Sequence, residues 1–234
     1  MSTPNTSARE SMLGRIREAL KTKAPPPGHP PGEPPPPAPR DGQFRPLLPA
    51  VGASWDEQCR QFARNAELLK AAFKVLPDTA AARAEVQRIA REEQWRRLAT
   101  HEHPLLREVC RDPGPALLFT DRPYAKEDLE QCEGAVTACE ALIAQTGSVL
   151  VTSRGCGGRA VSILPPHHLV VARREQLLPD LLAAFALLRQ KYGAHYPSMI
   201  SFITGPSRTG DIERILVLGA HGPKRLTILL IAGE

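Results

Sequence analysis

Apolar residues recur along this chain in two rhythms. From Ser7 to Lys21 (SARESMLGRIREALK), Met12, Ile16 and Leu20 follow at four-residue spacing with Leu13 beside them, which predicts a short amphipathic helix. Ser7 and Glu10 have the spacing of a capping box at its start. A helix this short is marginal in water, so its apolar stripe is expected to dock on the rest of the chain or on a partner. The same rhythm returns at Ser54, which pairs with Glu57 as a second capping box, while Phe62, Ala66, Leu69 and Phe73 line one helix face. Pro77 and Asp78 open a further helix with Ala82, Val86 and Ile89 inward, and Arg91 to Arg97 (REEQWRR) reads as its solvated end.

Beyond that point short continuous apolar runs take over. ALLF (Ala116–Phe119), EGAVT (Glu133–Thr137), SVLVTS (Ser148–Ser153), LVVA (Leu169–Ala172), MISFIT (Met199–Thr204), RILVLG (Arg214–Gly219) and RLTILLI (Arg225–Ile231) read as strands. His167 and His168, after Pro165-Pro166, mark a strand entrance, and ACEALIAQ and Gln176 to Tyr192 read as helices. Runs that are apolar at every position suit strands buried on both faces. With helices interposed, the pattern predicts an α/β layered domain with a largely parallel sheet. The last two runs are joined only by AHGPK and are close enough to pair as a hairpin.

Composition sharpens the division of the chain. Twelve of its 24 prolines fall between Pro25 and Pro49, which excludes helix or central strand there and predicts an extended, semi-rigid spacer. The expected organisation is an N-terminal helix (1–24), a proline-rich linker (25–50) and an α/β domain (51–234). No apolar run is long enough to span a membrane and no secretory signal opens the chain, so a cytoplasmic protein is expected. The net charge of +5 is diffuse: 17 basic against 13 acidic residues up to position 110, and 13 against 12 after it. With aromatic content of only 5%, this argues against a nucleic-acid partner. The five cysteines (Cys59, Cys110, Cys132, Cys139, Cys156) are irregularly spaced and read as reduced thiols, so no iron–sulfur cluster is expected in this chain. His101 and His103 have no third ligand nearby, and no metal site is expected.

Candidate chemistry concentrates in three segments. In open α/β sheets ligands gather at strand carboxyl ends, and Thr204-Gly205-Pro206-Ser207-Arg208-Thr209-Gly210-Asp211 directly follows a strand. A helical turn opening at Thr209 or Asp211, two hydroxyls and the Arg208 guanidinium would suit a small anion; the alternative is a tight turn with Arg208 paired to Asp211 or Glu213. Thr146-Gly147 is the second segment, equally readable as a helix exit, with Glu140 one helical turn before Ala144 as an acid, a base or a surface carboxylate. The third is Gly219 to Lys224, where His221 is either a base or hydrogen-bond donor or a turn histidine bonding local carbonyls. The loop Arg154 to Arg159 reads as a mobile arginine-bearing lid, and Cys156 within it has no sequence-local base.

EGAVTACEALIAQTGSVLV, ILPPHHLVV, ITGPSRTGDIE and LGAHGPKRLTILL together resemble the LUD domain of the lactate-utilisation protein C family, over roughly Ala116 to Ile231. The leading REsmLGRIREAL is also similar to that family's first helix. The chain departs from the pattern at Gln145, where an acidic residue is usual, at Ser148 in place of Thr, and at Gly210 in place of Ala. The resemblance implies a layered fold similar to the sugar-isomerase and CoA-transferase group. It also implies participation, with iron–sulfur and companion subunits, in oxidising L-lactate to pyruvate. By motif match it carries over Thr204, Gly205, Ser207, Arg208, Thr209, Asp211 and His221 as site residues; the residue chemistry adds Thr146 and Gly147, all nine being expected to bind a small anionic ligand, with His221 and Glu140 as the catalytic candidates. The same residues leave room for two other roles: a non-catalytic assembly module for the partner subunits, or a stand-alone acyl- or phosphoryl-transfer enzyme.

Overall fold

A computed structural model describes residues 5–21, 49–212, 215–218 and 222–233. The first unit holds helix α1 (Asn5–Lys21). It starts two residues before Ser7, so Ser7 lies inside the helix rather than capping it, and Met12, Ile16 and Leu20 are exposed. Most of the proline-rich stretch, residues 22–48, lies outside the described residues.

The second unit starts at Pro49. Its main sheet has six parallel strands in the order β1 (Ala72–Leu76), β12 (Arg225–Ile231), β7 (His167–Arg173), β4 (Gly134–Ala138), β2 (Arg97–Thr100) and β3 (Ala116–Phe119). A four-stranded sheet orders β8 (Leu177–Leu178), β5 (Ala141–Ile143), β6 (Ser148–Thr152) and β9 (Ile200–Ile203). A separate antiparallel pair joins β10 (Arg208–Ile212) to β11 (Ile215–Leu218). The helices are α2 (Trp55–Leu68), α3 (Thr79–Glu92), α4 (Pro104–Val109), α5 (Lys126–Glu130) and α6 (Leu181–Tyr192). One face of the parallel sheet packs Val136, Leu169, Leu229 and Ile231 against Val86 and Ile89 of α3. The other packs Val170, Ile228 and Leu230 against Phe62 of α2 and Leu142 and Val149 of the smaller sheet. The α/β layered, largely parallel architecture is therefore as expected. No helix among the described residues is long and apolar enough to cross a membrane.

Local chemistry explains both the agreements and the corrections. Ser54 Oγ accepts from the Glu57 amide at 3.3 Å and Glu57 returns the bond to the Ser54 amide at 2.9 Å, so the capping box forms. The helix ends at Leu68, however, and Phe73 belongs to β1, an edge strand whose half-exposed pattern hid it in the helical rhythm. Trp95 is not part of a solvated helix end: it is buried, with its indole N–H on Glu93 at 3.1 Å, and β2 follows at once. ALI is strand β5 rather than helix, paired antiparallel with β6 through the Thr146-Gly147 turn. Its residues are buried on both sides, and a short run of that kind carries no period that separates strand from helix. The expected helix from Gln176 starts instead at Leu181, because Pro179 cannot continue a ladder and Asp180 caps the new helix by accepting from the Ala183 amide at 2.8 Å. The last two apolar runs do not pair with each other, since β11 joins β10 and β12 enters the parallel sheet between β1 and β7. A strand buried at six of its seven positions gains far more there than in an exposed hairpin.

One packing contact gives a direct test. A Cβ on Gly134 would lie 2.4 Å from the Trp95 ring, which its bond to Glu93 and its burial hold in place. Gly134→Ala is expected to destabilise by about 1–3 kcal/mol, as overpacking does, read as a lowered urea midpoint; an unchanged midpoint would show the ring free to move.

Candidate functional site

Parallel strands end together, so the residues just beyond them share one edge. Strands β7, β4 and β2 are neighbours, and with about 4.8 Å between strands their ends span roughly 10 Å. Beyond β2 come His101, Glu102 and His103; beyond β4 come Cys139 and Glu140; β7 ends on Arg173. Over this edge lies the loop from Ser153 to Arg159. Thr120 Oγ1 donates to the Gly157 carbonyl at 2.7 Å, and Arg154 and Arg159 donate to the His195 and Ser198 carbonyls at 3.0 and 2.8 Å. The loop expected to be a free lid is thus tied at both its arginines.

Glu140 is the centre of the cluster. Its side chain is 4% exposed, and its Oε1 accepts from Tyr192 Oη at 2.5 Å and from Thr152 Oγ1 at 2.7 Å. Its Oε2 accepts from the Lys191 ammonium. Burial alone would raise the Glu140 pKa; the bonds from Lys191, Tyr192 and Thr152 outweigh it and hold the carboxyl below its ordinary value of 4.5. Burial likewise works against the Lys191 charge, but Glu140 prevails and the pKa is raised. The Tyr192 hydroxyl is pushed up by burial and by the same carboxylate. The result is an ionised pair with one neutral phenol. Gly155 presses on it, since a Cβ there would lie 2.3 Å from Glu140 Oε1, while its amide donates to Thr152 Oγ1 at 3.0 Å.

Two histidines follow β2 at the same edge, with their ring orientations set by backbone. His101 Nε2 accepts from the Ala138 amide at 3.2 Å, and His103 Nδ1 accepts from the Leu105 amide at 3.3 Å as the N-cap of α4. The rings meet edge to face with centroids 5.9 Å apart. Burial brings His101 down to about 4. Burial also lowers His103, helped by the charges of Arg173 and Lys191, against which Glu140 acts only in part. Deeper in the sheet His168 is fully buried, bonded to Thr137 Oγ1 at 2.8 Å through Nε2, while its Nδ1 has no partner. Burial drives its pKa down to about 3. Cys156, considered as a nucleophile, is buried and its thiol is pushed up to about 12, which disfavours the thiolate.

The Thr204–Asp211 segment lies at the opposite end of the parallel sheet. The Ser207 amide donates to the Pro223 carbonyl at 2.9 Å, just before β12, and the Lys224 amide donates to Pro166, just before β7. Residues 208–212 form β10, so no helical turn opens at Thr209 or Asp211. Arg208 is exposed and donates to the Leu69 carbonyl at the end of α2. That is the bond by which an arginine satisfies a helix C-terminus. Gly205 has φ of +85° and a Cβ there would lie 2.8 Å from the same carbonyl, so the position requires glycine twice over. The structure does bring two predicted segments together: Thr146 Oγ1 bonds Ser148 Oγ at 2.7 Å, and Ser148 Oγ bonds Thr204 Oγ1 at 2.8 Å. Gly147, at φ +67°, turns against Asn65. Gln145 donates to the Pro49 carbonyl at 3.0 Å and leaves its buried Oε1 without a partner. His221 lies outside the described residues, as do the side chains of Thr209 and Asp211.

Sequence reasoning named Glu140 but missed its partners Lys191, Tyr192 and Thr152, and missed His103 at the same edge. Lys191 is 51 residues away and becomes visible only once α6 is known to start at Leu181. Two surface hollows lie elsewhere. One of about 540 Å³ sits at the amino ends of β2 and β3, where Glu133 already accepts from the backbone amides of Arg96 and Arg97. The other, about 510 Å³, is apolar and lies between α6 and β9, lined by Phe185, Leu188, Tyr196 and Phe202. Neither touches the Glu140 cluster.

Fold and edge define an α/β protein with a polar, charge-paired cluster beyond the carboxyl ends of its parallel strands. The LUD domain family model matches residues 59–231, and the chain belongs to that family. It is similar to lactate utilization protein C of Bacillus licheniformis, with 32% identity over 132 residues, covering 54% of this chain and 55% of that one. It is likewise 35% identical over 117 residues to lactate utilization protein C of Bacillus subtilis, covering 48% and 49%. The chain thus spans about half the length of the curated relatives it matches. A crystal structure of a DUF162 family protein from Deinococcus radiodurans shares the fold with a TM-score of 0.57 and 20% identity, covering 77% of this chain and 99% of that one.

Proposed function

We propose that the chain is a cytoplasmic subunit of a lactate-utilisation system, taking part with iron–sulfur partner proteins in the oxidation of L-lactate to pyruvate. In this reading the cluster at the strand carboxyl ends holds a small carboxylate. The names of the relatives support the first part. The five cysteines are all buried and fall in three separate core clusters, which supports a division of labour with redox centres on the partners. The 1–24 helix and the 25–50 linker then tether the 51–234 domain to those partners.

The observation that carries the ligand reading is Lys191. Its side chain is half exposed and one of its donors is fixed on buried Glu140. An ammonium has three donors, so two remain to meet an anion at the edge where α/β proteins gather ligands. A second reading keeps the anion at the Thr204–Arg208 turn, with Ser207 and Arg208 as its contacts; the gathered hydroxyls of Thr146, Ser148 and Thr204 favour it. Calorimetry with L-lactate and pyruvate separates the two. Lys191→Met is expected to weaken binding about tenfold or more, as loss of a charge-assisted hydrogen bond does, with Arg208→Ala unchanged. The reverse pattern would move the ligand to the turn.

A further inference from the structure

The apolar hollow beside α6 and the stripe on α1 show nothing of what covers them, and the exposed arginines at Arg96 and Arg97 are already met by Glu133 and Asp128. His103 carries more. Its Nδ1 is occupied by the Leu105 amide at 3.3 Å. A neutral imidazole has one proton, and an N–H pointing at Nδ1 requires that proton on Nε2. The ring cannot turn over without giving up the α4 cap, and His101 packs against it edge to face at 5.9 Å. Among the described residues Nε2 has no protein partner. His103 follows β2 while Glu140 follows the neighbouring β4, so the two share one sheet edge, and the charges of Lys191 and Glu140 both reach the His103 ring.

We propose that His103 is a specificity-determining residue that donates its Nε2–H to an oxygen on the carbon next to the ligand carboxylate. This rests on the reading that Lys191 receives the carboxylate, and it names the ligand class: 2-hydroxy and 2-oxo acids, chosen over plain carboxylates of equal size. Burial and the charges of Arg173 and Lys191 keep the ring neutral, so a donor rather than a second cation faces the ligand. A site built to bond such an oxygen loses that bond when the analogue lacks it, and discrimination follows.

The experiment compares L-lactate, pyruvate and propionate by calorimetry on the full chain and on His103→Asn. Asparagine is a strong N-cap, so this variant keeps the bond to the Leu105 amide and removes the distant ring donor. The parent protein is expected to bind lactate or pyruvate about tenfold more tightly than propionate. The variant is expected to bind all three at the propionate level, with an unchanged melting temperature. Equal affinity of the parent for propionate and pyruvate would overturn the role of His103 while leaving the carboxylate reading intact. Retention of the preference in His103→Asn would do the same. No binding of any of the three would overturn both. His103→Ala, which loses cap and donor together, separates the two roles: it is expected to match His103→Asn in selectivity while melting lower.

Discussion

Stability is expected to fall steadily as the pH is lowered from about 6.5 to 4. His101 and His168 are buried and neutral, with pKa values near 4 and 3 against an ordinary 6.5. Across that window the unfolded chain binds protons that the folded chain refuses, so protonation pulls toward unfolding. Each such group costs about 1.4 kcal/mol per pH unit while it titrates only in the unfolded state. Together they remove on the order of 5 kcal/mol by pH 4, comparable with the lower end of whole-domain stability at ~5–15 kcal/mol. The groups facing His101, Asp121 and Glu102 among them, offset part of its shift without reversing it. Urea titrations at pH 7.5, 5.5 and 4.5 measure the slope, and His101→Gln should remove about half of it. A flat profile would mean that the two rings are not sequestered as the structure has them.

Removing the Glu140 carboxylate gives the second large effect. Glu140→Ala deletes a buried ionic partner and takes an acceptor from the Thr152 and Tyr192 hydroxyls, which keep their mutual 3.1 Å bond, at a site almost closed to water. Breaking a buried pair costs about 3–5 kcal/mol; because Lys191 is half exposed and can turn to solvent, a loss of about 3 kcal/mol is expected at pH 7. Glu140→Gln keeps an acceptor for both hydroxyls and should lose less. The sign with pH is opposite in origin but alike in direction to that of the histidines. The Glu140 pKa is lowered on folding, so its contribution is complete above 4.5 and is lost as the pH falls through the lower folded value. A loss under about 1 kcal/mol in Glu140→Ala would show the pair to be no better than a surface contact.

How much of this was legible beforehand follows from period and burial. The long runs around Val170 and Ile228 announced central parallel strands because nothing polar interrupts them, and Asp78 and Ser54 announced helix starts through their caps. Strands β1 and β2 stayed hidden: Phe73 continues the helical spacing of Phe62, Ala66 and Leu69 by accident, and Arg97-Leu98-Ala99-Thr100 is too short and follows too many charges. ALI failed for the opposite reason, being apolar on both sides. The candidate site was harder still. Glu140 acquires meaning only from Lys191 and Tyr192 at the far end of α6, and His103 only from a strand that the pattern did not reveal. Arg208 was conspicuous for its chemistry, yet the structure gives it the end of α2 to hold.

The placement of β12 has a consequence for how the chain is made. Residues 72–76 leave the ribosome well before their neighbour in the finished sheet, residues 225–231. Until those residues appear, β1 has no strand to join, and the sheet lacks the piece that connects it to β7. Such long-range closure slows folding and leaves an unpaired nascent edge exposed to misassociation. A truncation between Leu76 and Arg225 would therefore leave β1 without its partner strand.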